Sequence, residues 1–185
     1  MPTIRLLDPA KDAGLVEDLY RAAPDYWLLA EGACEPDGKA AGFFADGPPG
    51  CDPADSDRLG LFLDRRLSGV AEVSYGFPAQ GDAYLGLMLL APWAQGAGHG
   101  RAFLAHAEAL ARARGAPALY LAVLDANPRG RAFWQREGFR ATGRRRLDDT
   151  GQWIERLETR LDQGQLPSAP STSAAGGFAN QGWPL

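Results

Sequence analysis

Cysteine is scarce: among 185 residues there are two, Cys34 and Cys51, in a stretch rich in Pro, Gly and Asp with no Cys-x-x-Cys and no Cys/His cluster. That spacing excludes a disulfide framework and a zinc site and leaves two ordinary intracellular thiols. Histidine is equally rare, with only His99 and His106, so no metal site is expected. No stretch offers the roughly 18 apolar residues of a membrane span. Met1-Pro2-Thr3-Ile4-Arg5 lacks the apolar run of a signal peptide, so a soluble cytoplasmic protein is the expectation. Positive charge is also short, since the net charge of -4 is the wrong sign for a nucleic-acid binder. No internal repeat is present.

The length and a hydrophobic share of 45% suit one domain with a substantial core. We place it at residues 1–161. Residues 162–185, rich in Gln, Gly, Ser, Pro and Ala, form a tail ending in Phe178 and Trp183-Pro184-Leu185, read either as a linker or as aromatics that dock on the domain or a partner. Charge is segregated. Residues 1–64 carry 13 acidic and 5 basic side chains, whereas residues 65–161 carry 9 acidic and 14 basic. A basic half suits a phosphorylated cofactor and an acidic half a cationic acceptor, unless these are simply solvated surface charges.

Thr3 to Leu7 alternates as a strand, and Pro9 to Ala22 has apolar residues at Leu15, Val16, Leu19 and Tyr20, the spacing of an amphipathic helix. Prolines between residues 24 and 53 predict short helices and a mobile loop over 25–64. Arg58–Leu63 and Leu67–Tyr75 read as strands joined by a turn at 64–66. Tyr84–Leu90 is an apolar run fit for a buried central strand, and Gly100–Arg114 has a helical apolar face closed by Gly115. Leu119–Val123 is a short strand, Asn127-Pro128 opens a helix that ends at Gly138, and 139–147 and 153–161 form a hairpin across Asp148-Asp149-Thr150-Gly151.

The informative stretch is Leu90-Ala91-Pro92-Trp93-Ala94-Gln95-Gly96-Ala97-Gly98-His99-Gly100-Arg101, a strand passing through a glycine-rich turn into a helix. The glycines allow close backbone approach, and the free amides and dipole of a helix N-terminus, with Arg101, form an anion site suited to a pyrophosphate. Strand, glycine turn and helix also describe nucleotide sites. Here no Gly-Lys-Ser/Thr follows, and the pattern begins in mid-chain, so an unrelated nucleotide-binding module fits poorly.

The segment resembles the acetyl-CoA signature of the GNAT N-acetyltransferases, Gln/Arg-x-x-Gly-x-Gly/Ala, matched by Gln95, Gly98 and Gly100. A second resemblance follows downstream in Val123 to Asn127, Ala132-Phe133-Trp134 and Glu137-Gly138-Phe139. Together the two cover about residues 3–161. The resemblance implies an α/β fold: a mixed, mostly antiparallel twisted sheet of six to seven strands, splayed at the middle and flanked by about four helices. It implies acetyl-CoA as acyl donor, an amine of a small molecule or peptide as acceptor, and a possible homodimer through the C-terminal strands.

Carried onto this sequence, it implies that Leu89, Leu90 and Ala91 pair with the pantetheine arm. Gly96, Ala97, Gly98, His99, Gly100 and Arg101 then hold the pyrophosphate, Asn127 bonds the pantetheine unless it is only an N-cap, and Phe133 and Trp134 flank the sulfur. Direct attack by the amine needs a base, an oxyanion donor and an acid or water. Glu72 or Asp82 is the expected base and a backbone N–H near Leu90 the oxyanion donor. Trp134 stands where similar proteins often have a tyrosine acid, and an indole is not a proton-transfer acid; the alternatives are that the thiolate leaves unprotonated, that it takes its proton from water, or that Tyr84, Tyr75 or Tyr120 substitutes. Tyr26, Trp27 and Glu31 are expected to line a site for a cationic acceptor. The competing class is a non-catalytic acyl-CoA sensor or scaffold.

Overall fold

The structure, a computed structural model, describes residues 2–32, 38–148 and 150–161. Cys34, Asp149 of the hairpin turn and the tail 162–185 lie outside the described residues.

The chain opens with strand β1 (Thr3–Leu6) and helix α1 (Pro9–Arg21). Pro9 needs no amide partner at a helix start, and the Asp8 side chain accepts the Ala10 N–H at 2.9 Å. Asp12 in the first turn reaches back to β1 with two hydrogen bonds from Arg5, at 2.7 and 2.8 Å. Val16, Leu19 and Tyr20 are buried as their spacing predicts, but Leu15 is 40% exposed, because the apolar stripe is narrower than the run of apolar residues. The proline-rich region holds two short helices, α2 (Pro24–Glu31) and α3 (Lys39–Ala45).

Strands β2 (Asp57–Leu63) and β3 (Arg66–Tyr75) join through Asp64 and Arg65, both at positive φ, the twist that a two-residue hairpin requires. Strand β4 (Ala83–Leu90) runs antiparallel to β3. Helix α4 (His99–Ala113), strand β5 (Ala118–Leu124), helix α5 (Pro128–Arg136) and the hairpin β6 (Arg140–Leu147) and β7 (Trp153–Arg160) complete the chain. The predicted boundaries shift by one or two residues at most of these elements.

Among the described residues seven strands form one mixed sheet in the order β1-β2-β3-β4-β5-β7-β6, in which only β4 and β5 are parallel. Five α-helices among the described residues flank it, with both α2 and α3 forming in the proline-rich region. One core packs α4 on a sheet face through Phe103, Leu104, Ala107 and Ala111; the other packs α1 to α3 on the opposite face through Val16, Leu19, Tyr20, Trp27 and Phe43. Each fully buried Leu, Val or Phe stabilises the fold by about 1.5–3 kcal/mol. Among the described residues no helix is long and apolar enough to cross a membrane.

The decisive feature is the sheet's centre. β4 and β5 pair only at Ala83↔Leu119 and Tyr84↔Tyr120, and beyond Tyr84 they part. From there to Leu90 one edge of β4 has no neighbouring strand among the described residues.

Candidate active site

A cleft of about 1510 Å³ occupies this gap, lined on one side by α4 and α5 and on the other by α2 and α3. At its α4 end lies the glycine turn. Gly96 and Gly98 both have φ +81°, and a Cβ at either would meet nothing within 4 Å, so the backbone is open to a ligand. The first intrahelical bond runs from Ala102 N to Gly98 O, which leaves the amides of His99, Gly100 and Arg101 ahead of it. Gln95 Nε2 donates to Leu90 O at 3.0 Å and fastens the turn to the end of β4. Arg101 is drawn toward Glu137, at 3.6 Å.

Along β4, Ala91 N donates to Ser68 O at 2.9 Å. In an antiparallel ladder alternate residues face the partner strand, so the N–H and C=O groups of Leu90 and Met88 point into the gap. Asn127 Oδ1 caps α5 by accepting Gly130 N at 2.8 Å, the N-cap role its position predicts, with its Nδ2 left for another acceptor. Phe133 and Trp134 pack edge to face at 4.8 Å at the gap.

A bulge in β4 opposite Glu72 and Val73 places Gly86 against the Glu72 carboxylate. Glu72 is buried, with Oε1 2.8 Å from Arg58 Nη1 and accepting a hydrogen bond from the Ser74 hydroxyl. The Arg58 contact is a charge pair whose N–H does not point along the contact. Arg58 is itself buried, which lowers its pKa, and donates to the Asp46 carbonyl. Oε2 of Glu72 faces Gly86. The Tyr84 hydroxyl, pushed up to about 12 by burial, has no partner among the described residues.

Glu72, Tyr84 and Leu90 therefore all line the cleft, as do Leu89, Gln95, Gly96, Gly98, Gly100, Arg101, Asn127, Phe133 and Trp134. Ala91, Ala97 and His99 do not: the Ala91 side chain is fully buried with its amide spent on Ser68, and Ala97 is exposed. Leu90 also stands three residues beyond Leu87, the register partner of Glu72, about 10 Å along the strand. The gap-facing amide nearest the Glu72 level is that of Met88. Asp82, raised by burial, lies outside the cleft, as do Tyr75, which donates to Asp57 at 2.5 Å, and Tyr120, raised to about 12 by burial and by its hydrogen bond with Glu158.

Sequence reasoning missed Gly86, Arg129 and Asp148 in the cleft. Gly86 interrupts an apolar strand run, and that interruption was the available signal for a bulge. Charge follows the two walls. Asp25, Glu31, Asp46 and Asp148 line the α2–α3 side with Lys39, while Arg101, Arg129 and Arg136 line the α4–α5 side with Glu137. Lys39 is paired with Glu31.

Residues 9–139 match the family model described as acetyltransferase (GNAT) family. No curated protein matches the chain. Among solved structures, an acetyltransferase from Thermus thermophilus is 25% identical with a TM-score of 0.67, covering 87% of this chain and 97% of that one. The ribosomal-protein-S18-alanine N-acetyltransferase from Escherichia coli is 19% identical with a TM-score of 0.66, covering 89% and 97%. The PaiA N-acetyltransferase from Thermoplasma acidophilum, solved in complex with coenzyme A, is 20% identical with a TM-score of 0.58, covering 86% and 99%.

Proposed function

The chain belongs to the GNAT acetyltransferase family, and from that membership we propose that it is an N-acetyltransferase, moving an acetyl group from acetyl-CoA to a primary amine by direct attack in a ternary complex. The observation that carries this reading is the parting of β4 and β5 beside a glycine turn that feeds a helix N-terminus. The residues present fit the donor. Open space at Gly96 and Gly98 and the free amides of His99 to Arg101 suit a pyrophosphate, and the gap-facing N–H and C=O of Met88 with the N–H of Leu90 suit an amide-bearing arm that adds like a strand. Acetyl-CoA supplies a thioester, an acyl group activated toward amines.

The remaining chemistry falls to this chain's residues. Asn127 Nδ2 bonds the arm, and Phe133 and Trp134 cover its sulfur end and exclude water. Glu72 accepts the amine proton through Oε2, while Arg58 and Ser74 hold Oε1. Met88 N–H, rather than that of Leu90, stabilises the oxyanion. Tyr84, pushed up to about 12, lies well above an ordinary thiol near 8.5, so it serves as a hydrogen-bond donor and the departing thiolate takes its proton from water. The carboxylates of the α2–α3 wall favour a cationic acceptor.

Calorimetry with acetyl-CoA tests the cofactor half of this reading. Wild type is expected to bind and Gly98→Trp, which fills the turn, to lose binding at least tenfold; release of free thiol with amines then tests transfer. No binding by wild type would overturn the assignment, and binding without turnover on any amine would favour an acyl-CoA sensor.

A further inference from the structure

The hairpin between β6 and β7 turns on one carboxylate. Asp148 Oδ1 accepts from Thr150 N at 2.9 Å, Thr150 Oγ1 at 2.7 Å and Gln152 N at 2.8 Å, a side-chain-to-backbone turn of the kind Asp favours. Gln152 Nε2 then donates to Leu29 O at 3.0 Å and Ala30 O at 3.3 Å, so the turn is pinned to the C-terminal half of α2, the helix that carries Tyr26 and Trp27. This contact brings Asp148 into the wall of the cleft.

With Oδ1 used three times, Oδ2 has no hydrogen-bond partner among the described residues, although Asp148 is only 6% exposed. The carboxyl is nonetheless held charged: burial works against ionisation, but the hydrogen bonds from Thr150 and Gln152 and the charge of Arg146 bring its pKa below the ordinary carboxylate value. Among the described residues Asp148 forms no ion pair within 4.0 Å. Two more polar atoms of residues that line the cleft are buried without partners among the described residues, Trp27 Nε1 and the Tyr84 hydroxyl, in residues 8% and 1% exposed. Buried polar groups are almost always paired, so three orphans on one cavity mark a place where a ligand completes the hydrogen bonding.

We propose that Asp148 is a specificity-determining residue of the acceptor site, its free Oδ2 receiving a second cationic group on an acceptor whose other, primary amine is acetylated. The acceptor class is then a diamine or an amine bearing a distal ammonium or guanidinium. Trp27 and Tyr26, packed edge to face at 5.0 Å, supply an aromatic flank of the kind that suits such a cation, and Lys39 Nζ already lies 5.0 Å from the Trp27 ring centroid. This inference rests on the acetyltransferase reading and adds the charge and bifunctional nature of the acceptor.

The test compares kcat/KM, at saturating acetyl-CoA, for three acceptor series of equal length that end in an ammonium, a methyl or a carboxylate: α,ω-diamines, n-alkylamines and ω-amino acids. Chain lengths from about three to six methylenes in each remove any assumption about reach. Wild type is expected to favour the diamine over the alkylamine by about 10- to 100-fold at its best length, the range of a hydrogen bond to a charged group, and to reject the amino acid. Asp148→Asn keeps the size and the Oδ1 acceptor, so the ratios between series, read through KM, should collapse toward one. Gln152→Ala, which loosens the turn without altering its charge, should lower all three series together.

Equal lowering of all series by Asp148→Asn would make the residue merely structural and overturn the inference. So would a wild type that ignores the distal charge, or that binds acetyl-CoA and turns over none of the three series. In the first two cases amine turnover would leave the family activity standing; in the third, acetyl-CoA binding would keep the cofactor site, and turnover of other amines would decide between transferase and sensor. Absence of both would instead sink the acetyltransferase reading itself.

Discussion

Replacing Gly86 by alanine tests the geometry at the heart of the site. The carboxylate of Glu72 fills the space over Gly86, so that an added Cβ would stand 1.8 Å from Oε2 and 3.1 Å from Cδ. Gly86 is not among the residues at positive φ, and alanine therefore carries no backbone strain of its own there. The whole cost comes from evicting the carboxylate. Glu72 and Arg58 have side chains 9% and 6% exposed, so the pair is buried, and once the carboxylate is displaced the guanidinium loses its counter-charge while keeping the hydrogen bond to the Asp46 carbonyl. Breaking such a buried pair costs about 3–5 kcal/mol. For a chain of this size that corresponds to a fall in melting temperature of roughly 6–20 °C.

Thermal and urea unfolding of Gly86→Ala, Glu72→Ala and the double variant form a cycle that isolates the effect. In the Glu72→Ala background the space over Gly86 is vacant, and adding the methyl there should cost close to nothing. A Gly86→Ala cost below about 1 kcal/mol, or one of equal size in both backgrounds, would refute the reasoning. Activity gives a second reading. If Glu72 is the base, transfer in Gly86→Ala should fall by about 10²–10⁴-fold while acetyl-CoA still binds, because the glycine turn at residues 96–98 is untouched.

Two further perturbations follow from the same structure. Asp12 is held at about 2, below its reference of 3.8, first by the Arg5 hydrogen bonds; the stability this confers is present above about pH 4 and lost as pH falls through about 2, so acid unfolding of wild type should include a step in that window that Asp12→Asn lacks. Tyr84→Phe removes a buried hydroxyl that has no partner, so urea unfolding should show no loss of stability beyond about 1 kcal/mol, and a drop in kcat/KM for amine transfer would then report a role for the hydroxyl toward substrate.

The elements with strong local determinants were legible before folding was considered. Asp8-Pro9 and Asn127-Pro128 each combine a capping side chain with a proline that needs no amide partner, and both start helices as read. The apolar run ending at Leu90, with its glycine turn, identified the central strand and the helix after it. Features that depend on register were not legible. The oxyanion donor, expected as a backbone N–H near Leu90, depends on register: the Gly86 bulge and the pairing of Glu72 with Leu87 put the level of Glu72 three residues before Leu90. Asp148 read only as a turn residue, because its place in the cleft depends on a contact from Gln152 to α2 more than 120 residues away in the chain.

The same long-range packing explains why β4 and β5 part instead of pairing to their ends. A Cβ on Gly100 would come within 3.3 Å of Leu90 Cδ1 and 3.4 Å of the Phe133 ring, so the start of α4, the end of β4 and the middle of α5 already meet closely. Gly100 permits that approach, and Phe133, backed by Trp134 at a ring distance of 4.8 Å and through it by Phe139 at 5.4 Å, stands beside the opening as a rigid wedge. On the far side β5 is committed to β7 along its whole length, from Ala118↔Arg160 to Leu124↔Ile154. Arg131 adds a brace from α5 to Asp125 and Glu155, at 2.9 and 2.5 Å. Closing the gap would require α5 to leave this seat and β5 to leave β7, so the open edge of β4 is fixed by its neighbours and is available to a ligand without rearrangement of the sheet.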